Sequence, residues 1–140
     1  MSKQINEAKD YFHGGYYEKL LLVEDKNLEN NEETRVKTLN TIFDQIKKLI
    51  EEKGSGITTS QIRNIFGRVK NAKELSDLVL LRPKLAYISA RQGNNRNARM
   101  ITDFIGDLIK RVNKPVHKKS LQTVMEAMVA YHKLYHQKKS

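Results

Sequence analysis

Apolar residues recur at helical spacing through most of this chain. Between residues 34 and 53, Leu39, Ile42, Phe43, Ile46, Leu49 and Ile50 recur three and four apart, one stripe of an amphipathic helix. Glu32 and Glu33 stand at its start and Lys53 at its end, the order the helix dipole favours. Gly54-Ser55-Gly56 then stops it. A second helix opens at Thr58, a good N-cap, with Gln61 three residues on to close a capping box and Ile57 placed to staple to Ile62. Ile62, Ile65, Phe66 and Val69 form its inner face; Arg63, Arg68 and Lys70 lie off that stripe. Gly67 weakens this helix and is expected to permit a close backbone approach.

Residues Leu75 to Gln92 read as a further helix, with Leu78, Leu81, Leu85 and Ile88 on one side and Pro83 starting a segment or kinking it. Lys84 and Arg91 are seven apart, so they project in nearly the same direction, about 10 Å apart along the axis. Gly93-Asn94-Asn95-Arg96-Asn97 is a polar loop of turn formers between Arg91 and Arg99. Ala98 to Val112 is helical, with Ile101, Phe104, Ile105, Leu108 and Val112 inward, and Asn113-Lys114-Pro115 ends it. The last helix is expected over Ser120 to Gln137, on the stripe Leu121, Val124, Met128, Tyr131 and Tyr135.

The first 33 residues are less regular. A short helix is expected from Tyr16 to Glu24, followed by a polar linker from Lys26 to Glu33. Tyr11-Phe12 and Tyr16-Tyr17 flank His13-Gly14-Gly15, and docking on protein is favoured over stacking on bases for these aromatics. With only two prolines and seven glycines in 140 residues, the expected fold is all-α, a compact bundle of five to six helices in a single domain. Residues 1–33 form its irregular part and residues 34–137 the bundle.

Charge divides the chain at the same place as the capping box. Residues 1–56 hold nine Lys/Arg against eleven Asp/Glu, a net of −2; from Ile57 onward there are seventeen against five, a net of +12. A basic, helical module of this size suits a polyanion, above all RNA or DNA, because regularly spaced phosphates reward a row of cations by releasing condensed counterions. The absence of Cys excludes disulfides and thiolate metal sites and fits a reducing compartment. Met1 to Asp10 has no apolar stretch of the signal-peptide kind, and no segment approaches the ~18 apolar residues of a membrane span, so the expected location is the cytoplasm.

Catalytic chemistry finds little support. There is no Walker-type loop and no Gly-x-Ser-x-Gly elbow. His132 and His136 are four apart, a spacing that can hold zinc, but further ligands are missing, and a solvated basic C-terminus is the preferred reading. Nothing in the sequence brings His13, His117, His132 and His136 together. Asp103 and Asp107, four apart among many cations, are read as salt-bridge partners. No metal and no cofactor is expected. A helix-turn-helix reading of Thr59-Ser60-Gln61-Ile62-Arg63 lacks a clear turn before Asn71-Ala72.

Three segments, in order, resemble the small subunit of type III-A CRISPR effector (Csm) complexes. They are Ile57-Thr58-Thr59-Ser60-Gln61-Ile62-Arg63, then Leu81-Arg82-Pro83-Lys84-Leu85-Ala86-Tyr87 leading to Arg91, then the run Met125 to Tyr135. The resemblance covers residues 57 to about 135. It departs at one point, where Ala90 precedes Arg91 in place of the family's glycine; Ala keeps a helix going and puts a backbone contact to RNA there in doubt.

The resemblance implies a non-catalytic all-helical subunit that stacks head to tail along the effector. Its neighbours would be the backbone subunits and the large cyclase/polymerase-like subunit. It would line the groove for guide (CRISPR) RNA and target RNA through basic side chains, without a base code. The expected RNA-binding residues are Arg63 from the capped helix, Lys84 and Arg91 from the middle helix, and Arg96 and Arg99 from the polar loop; an arginine can pair with phosphate bidentately. Glu126, Tyr131 and Tyr87 are expected to fix helices instead. The alternatives are a standalone nucleic-acid-binding protein, such as a DNA-binding regulator, and a protein-only adaptor whose basic face meets an acidic partner.

Overall fold

The computed structural model describes residues 7–91, 93 and 95–136, and the only regular elements among them are helical. Six α-helices follow two short 3-10 helices: α1 (Glu32–Lys53), α2 (Thr59–Asn71), α3 (Leu75–Val79), α4 (Arg82–Arg91), α5 (Arg96–Arg111) and α6 (Pro115–His136). The all-α bundle expected from the periodicity is what forms. α1, α2 and the second 3-10 helix pack against α6, while α4 lies across α5.

The 3-10 helices Ala8–Tyr11 and Tyr17–Leu22 close over the core. Tyr11, Phe12, Leu20 and Leu21 are buried, and Phe12 stacks on Phe104 of α5 with centroids 5.4 Å apart and rings 7° from parallel. The aromatic pairs therefore do dock on protein. Leu28, inside the stretch expected to be a polar linker, is buried as well.

α1 starts on the Asn31 side chain, whose Oδ1 accepts from the Thr34 N–H at 2.8 Å. It buries Ile42, Ile46, Leu49 and Ile50, with Leu39 and Phe43 half-buried beside them. α2 opens as the sequence indicates: Thr58 and Gln61 exchange both capping-box hydrogen bonds at 3.0 Å. The long helix expected over Leu75 to Gln92 is instead two, α3 and α4, broken at Leu80–Leu81. Pro83 falls in the first turn of α4, where N–H groups have no helical partner and its missing donor costs nothing. Gln92 lies outside the described residues.

α5 begins two residues earlier than expected, at Arg96, because the Asn95 side chain caps it by accepting from the Ala98 N–H at 3.0 Å. α6 begins five residues earlier, because Pro115 opens this helix as well as closing the preceding connection. Its stripe also has a different phase. Leu121, Val124, Met125, Met128 and His132 are buried, while Tyr131 is half-buried and Tyr135 is 37% exposed.

The buried histidine corrects the reading of a solvated basic C-terminus. His132 is 1% exposed and its Nε2–H donates to the carbonyls of Gly54 (2.9 Å) and Ile57 (2.8 Å). Two carbonyl acceptors place a proton on Nε2, and Nδ1 bonds with the Thr59 hydroxyl at 3.3 Å. One turn on, His136 Nε2 donates to the Ile50 carbonyl at 2.7 Å. The carbonyls of Ile50, Gly54 and Ile57 thus each take a donor from α6.

The two glycines of interest exchange roles. A Cβ on Gly67 would meet nothing within 4 Å, so the close approach expected there is absent. It occurs at Gly56, where a Cβ would stand 2.4 Å from the Ala98 nitrogen. Gly67→Ala should therefore stabilise the protein by about 0.5–1 kcal/mol, the ordinary helix-interior gain. Gly56→Ala should destabilise it, because the start of α5 must move. Denaturant unfolding checks the pair; equal signs would contradict the assignment. By the same measurement His132→Ala, which removes a donor from the Ile57 carbonyl and one of the two donors from the Gly54 carbonyl and opens a hole, should cost about 2–4 kcal/mol.

Candidate nucleic-acid interface

Four of the five expected binding residues sit on one helical hairpin. Lys84 and Arg91 are on α4; Arg96 and Arg99 are in the first turn of α5 and not in a loop. Asn94 lies outside the described residues. Lys84 is half-buried, and the other three are exposed. Arg63 is also exposed, but on α2, which packs on α6. Among the described residues none of the five forms an ion pair. The positive end of the α5 dipole adds to the field of Arg96 and Arg99.

Between α4 and α5 runs a groove of about 580 Å³. Small residues make the room: Ala86, Ala90, Gly93 and Gly106 line it together with Leu85 and Thr102. Arg82, Arg99 and Lys110 bring positive charge to it, and Asp103 and Asp107 negative charge. Only Arg99 of the expected set lines this groove. Arg82 and Lys110 fall outside that set, although the spacing 99, 103, 106, 107, 110 marks a second, polar face of α5 opposite its apolar stripe. α4 continues unbroken through Ala90, as alanine in place of glycine implies.

The carboxylates are not equivalent. Asp107 accepts from the Tyr17 hydroxyl and lies 3.9 Å from Arg111, whose guanidinium sits 5.0 Å from the Tyr17 ring centroid. This cluster ties the second 3-10 helix to α5 and partly neutralises Asp107. Asp103 forms no ion pair among the described residues, contrary to the salt bridge expected of it. Burial pushes the Tyr17 phenol well above its ordinary value, and the hydrogen bond to Asp107 and that carboxylate's charge add to the effect while Arg111 opposes it. Tyr11 is raised likewise, by burial first and then by its hydrogen bond to Glu52 at 2.7 Å. Asp77 is held below the usual carboxylate range by the backbone N–H groups of Glu74 and Lys73, and it closes the capping box with Glu74 that opens α3. Burial, with Lys114 nearby, lowers His117, so this histidine adds no charge at neutral pH.

Two of the residues expected to fix helices face outward. Tyr87 is 58% exposed and Glu126 is exposed; only Tyr131 is half-buried. Among the described residues no group of three or more His, Asp or Glu could hold a metal ion, and His132 and His136, though their rings lie 5.2 Å apart, spend Nε2 on carbonyls. No helix among the described residues is long and apolar enough to cross a membrane.

The basic α4–α5 hairpin is thus set on a bundle with an apolar core. The Csm2 type III-A family model matches residues 33–138, and the chain belongs to that family, the small subunits of type III-A Csm complexes. No curated protein and no solved structure matches the chain.

The tyrosine cluster gives a pH signature. Tyr11 and Tyr17 hold their protons more tightly folded than unfolded. Their contribution to stability is complete below the unfolded value of 10.0 and is lost as pH rises from there toward the folded values. A Tyr11→Phe/Tyr17→Phe variant should lose stability less steeply than the parent above about pH 10, measured as denaturant midpoints across alkaline pH. Identical slopes would contradict the cluster.

Proposed function

We propose that this chain is a non-catalytic RNA-holding subunit of the type III-A effector, gripping the backbone of guide and target RNA without reading sequence. The observation that carries the reading is the α4–α5 hairpin, which carries Arg82, Lys84, Arg91, Arg96, Arg99 and Lys110, none with an ion-pair partner among the described residues. An uncompensated cation row is costly in isolation and favourable beside phosphates. Arg63 extends the contact from α2. The chain acts as one helical unit in the cytoplasm, with its basic part from residue 57 toward RNA. Copies stack head to tail beside the backbone subunits, and one meets the large cyclase/polymerase-like subunit.

Binding of single-stranded RNA across a salt series tests this. Arg63→Gln, Arg91→Gln and Arg99→Gln should each weaken binding about equally for unrelated sequences and lower the salt slope by about 0.7, the value for one phosphate no longer neutralised. A sequence-dependent loss would mean base readout. Preference for duplex DNA would point to a standalone regulator. Either result would overturn the reading.

A further inference from the structure

The outer face of α4 carries a pattern that the groove does not use. Leu81, Leu85 and Ile88 turn inward, whereas Lys84, Tyr87 and Arg91 follow one another three and four residues apart, along one ridge of the helix. Tyr87 leaves 58% of its surface open, and its hydroxyl makes no hydrogen bond among the described residues. The Arg91 guanidinium lies 5.9 Å from its ring centroid. α4 contains no carboxylate. A lone exposed tyrosine needs no explanation; one with an arginine beside its ring and a lysine one turn back on the same ridge, on a helix with no acid, is complementary to a polymer that alternates negative charge with flat rings.

We propose that Tyr87 is a base-stacking platform for single-stranded RNA, with Lys84 and Arg91 holding phosphates on either side. The proposal rests on the RNA-holding function above and adds to it a contact with bases. It requires no sequence code, because every base has a π-face. It also gives the ridge a different preference from the groove: phosphates are available on single strands and duplexes alike, but only an unpaired base can lie on a ring.

The test is equilibrium binding of full-length protein to a fluorescein-labelled oligouridylate and to an RNA duplex of the same length, at several salt concentrations. Tyr87→Ala should weaken oligouridylate binding about tenfold, with Tyr87→Phe within about twofold of the parent. Duplex affinity and the salt slope should not change with Tyr87→Ala, since no charge is removed, whereas Arg91→Gln should lower the slope by about 0.7. Tyr87 is exposed, so the alanine variant should keep its circular dichroism and unfolding midpoint. Parental oligouridylate affinity in Tyr87→Ala would overturn the platform, as would equal losses on single strand and duplex. Intact RNA affinity with failed incorporation into the assembled effector would overturn it too, and would mark the ring as a protein contact. If Arg99→Gln weakens binding while Tyr87→Ala does not, the platform alone falls; a parent protein that binds no RNA would bring down the RNA-holding function with it.

Discussion

The turn at residues 54–57 is the joint on which the other helices depend. The backbone of Gly54 and Ile57 is buried in this turn, and a donor brought to their carbonyls by another helix ties the turn to that helix. The His132 ring from α6 supplies one N–H to both, and its Nδ1 bonds with the hydroxyl of Thr59, the first residue of α2. His136 serves Ile50 one turn away. On the other side, Gly56 has no side chain, and the start of α5 comes up against its backbone. One turn therefore sets α1, α2, α5 and α6 relative to one another. Apolar packing supplies the bulk of the stabilisation, but it is non-directional; these bonds select one arrangement.

The basic hairpin follows from that division of labour. The core is built by α1, α2, α6 and the inner side of α5, where Ile101, Phe104, Ile105, Leu108 and Ile109 are buried. α4 buries only Leu85 and Ile88 and rests on α5 alone among its main neighbours. Most of its surface is thus free of packing duties and can carry charge. The small residues along the α4–α5 seam keep the two helices' polar faces open as a groove instead of closing it with side chains.

Much of the bundle is legible in the sequence because apolar stripes and local caps are written in adjacent residues. Ile62, Ile65 and Val69, or Thr58 with Gln61, need no knowledge of the rest of the chain. The failures share a cause, which is that the deciding partner is distant in sequence. The core position of His132 depends on carbonyls 75 and 78 residues away. Gly56 rather than Gly67 needs to be a glycine because of Asn97 and Ala98. Both prolines punctuate the chain as expected, but whether a proline ends one helix or opens the next is decided by what packs afterwards. For the interface, the cationic character of α4 and α5 is readable, while the groove that unites Arg82, Arg99 and Lys110 exists only once the two helices cross. Tyr87, expected to fix helices, lies off the stripe Leu78, Leu81, Leu85 and Ile88, which is buried as its spacing indicates, and so it faces out.

The central claim is directional: RNA lies along α4 and the start of α5, not along α6 or the N-terminal aromatics. Ultraviolet cross-linking of the assembled effector, with the adducts on this subunit mapped by mass spectrometry, tests it most directly. Adducts should concentrate in the peptides spanning α4 and the first turn of α5, with a lesser set near Arg63. Adducts confined to α1 and α6, or none on this subunit while its neighbours are labelled, would contradict the account.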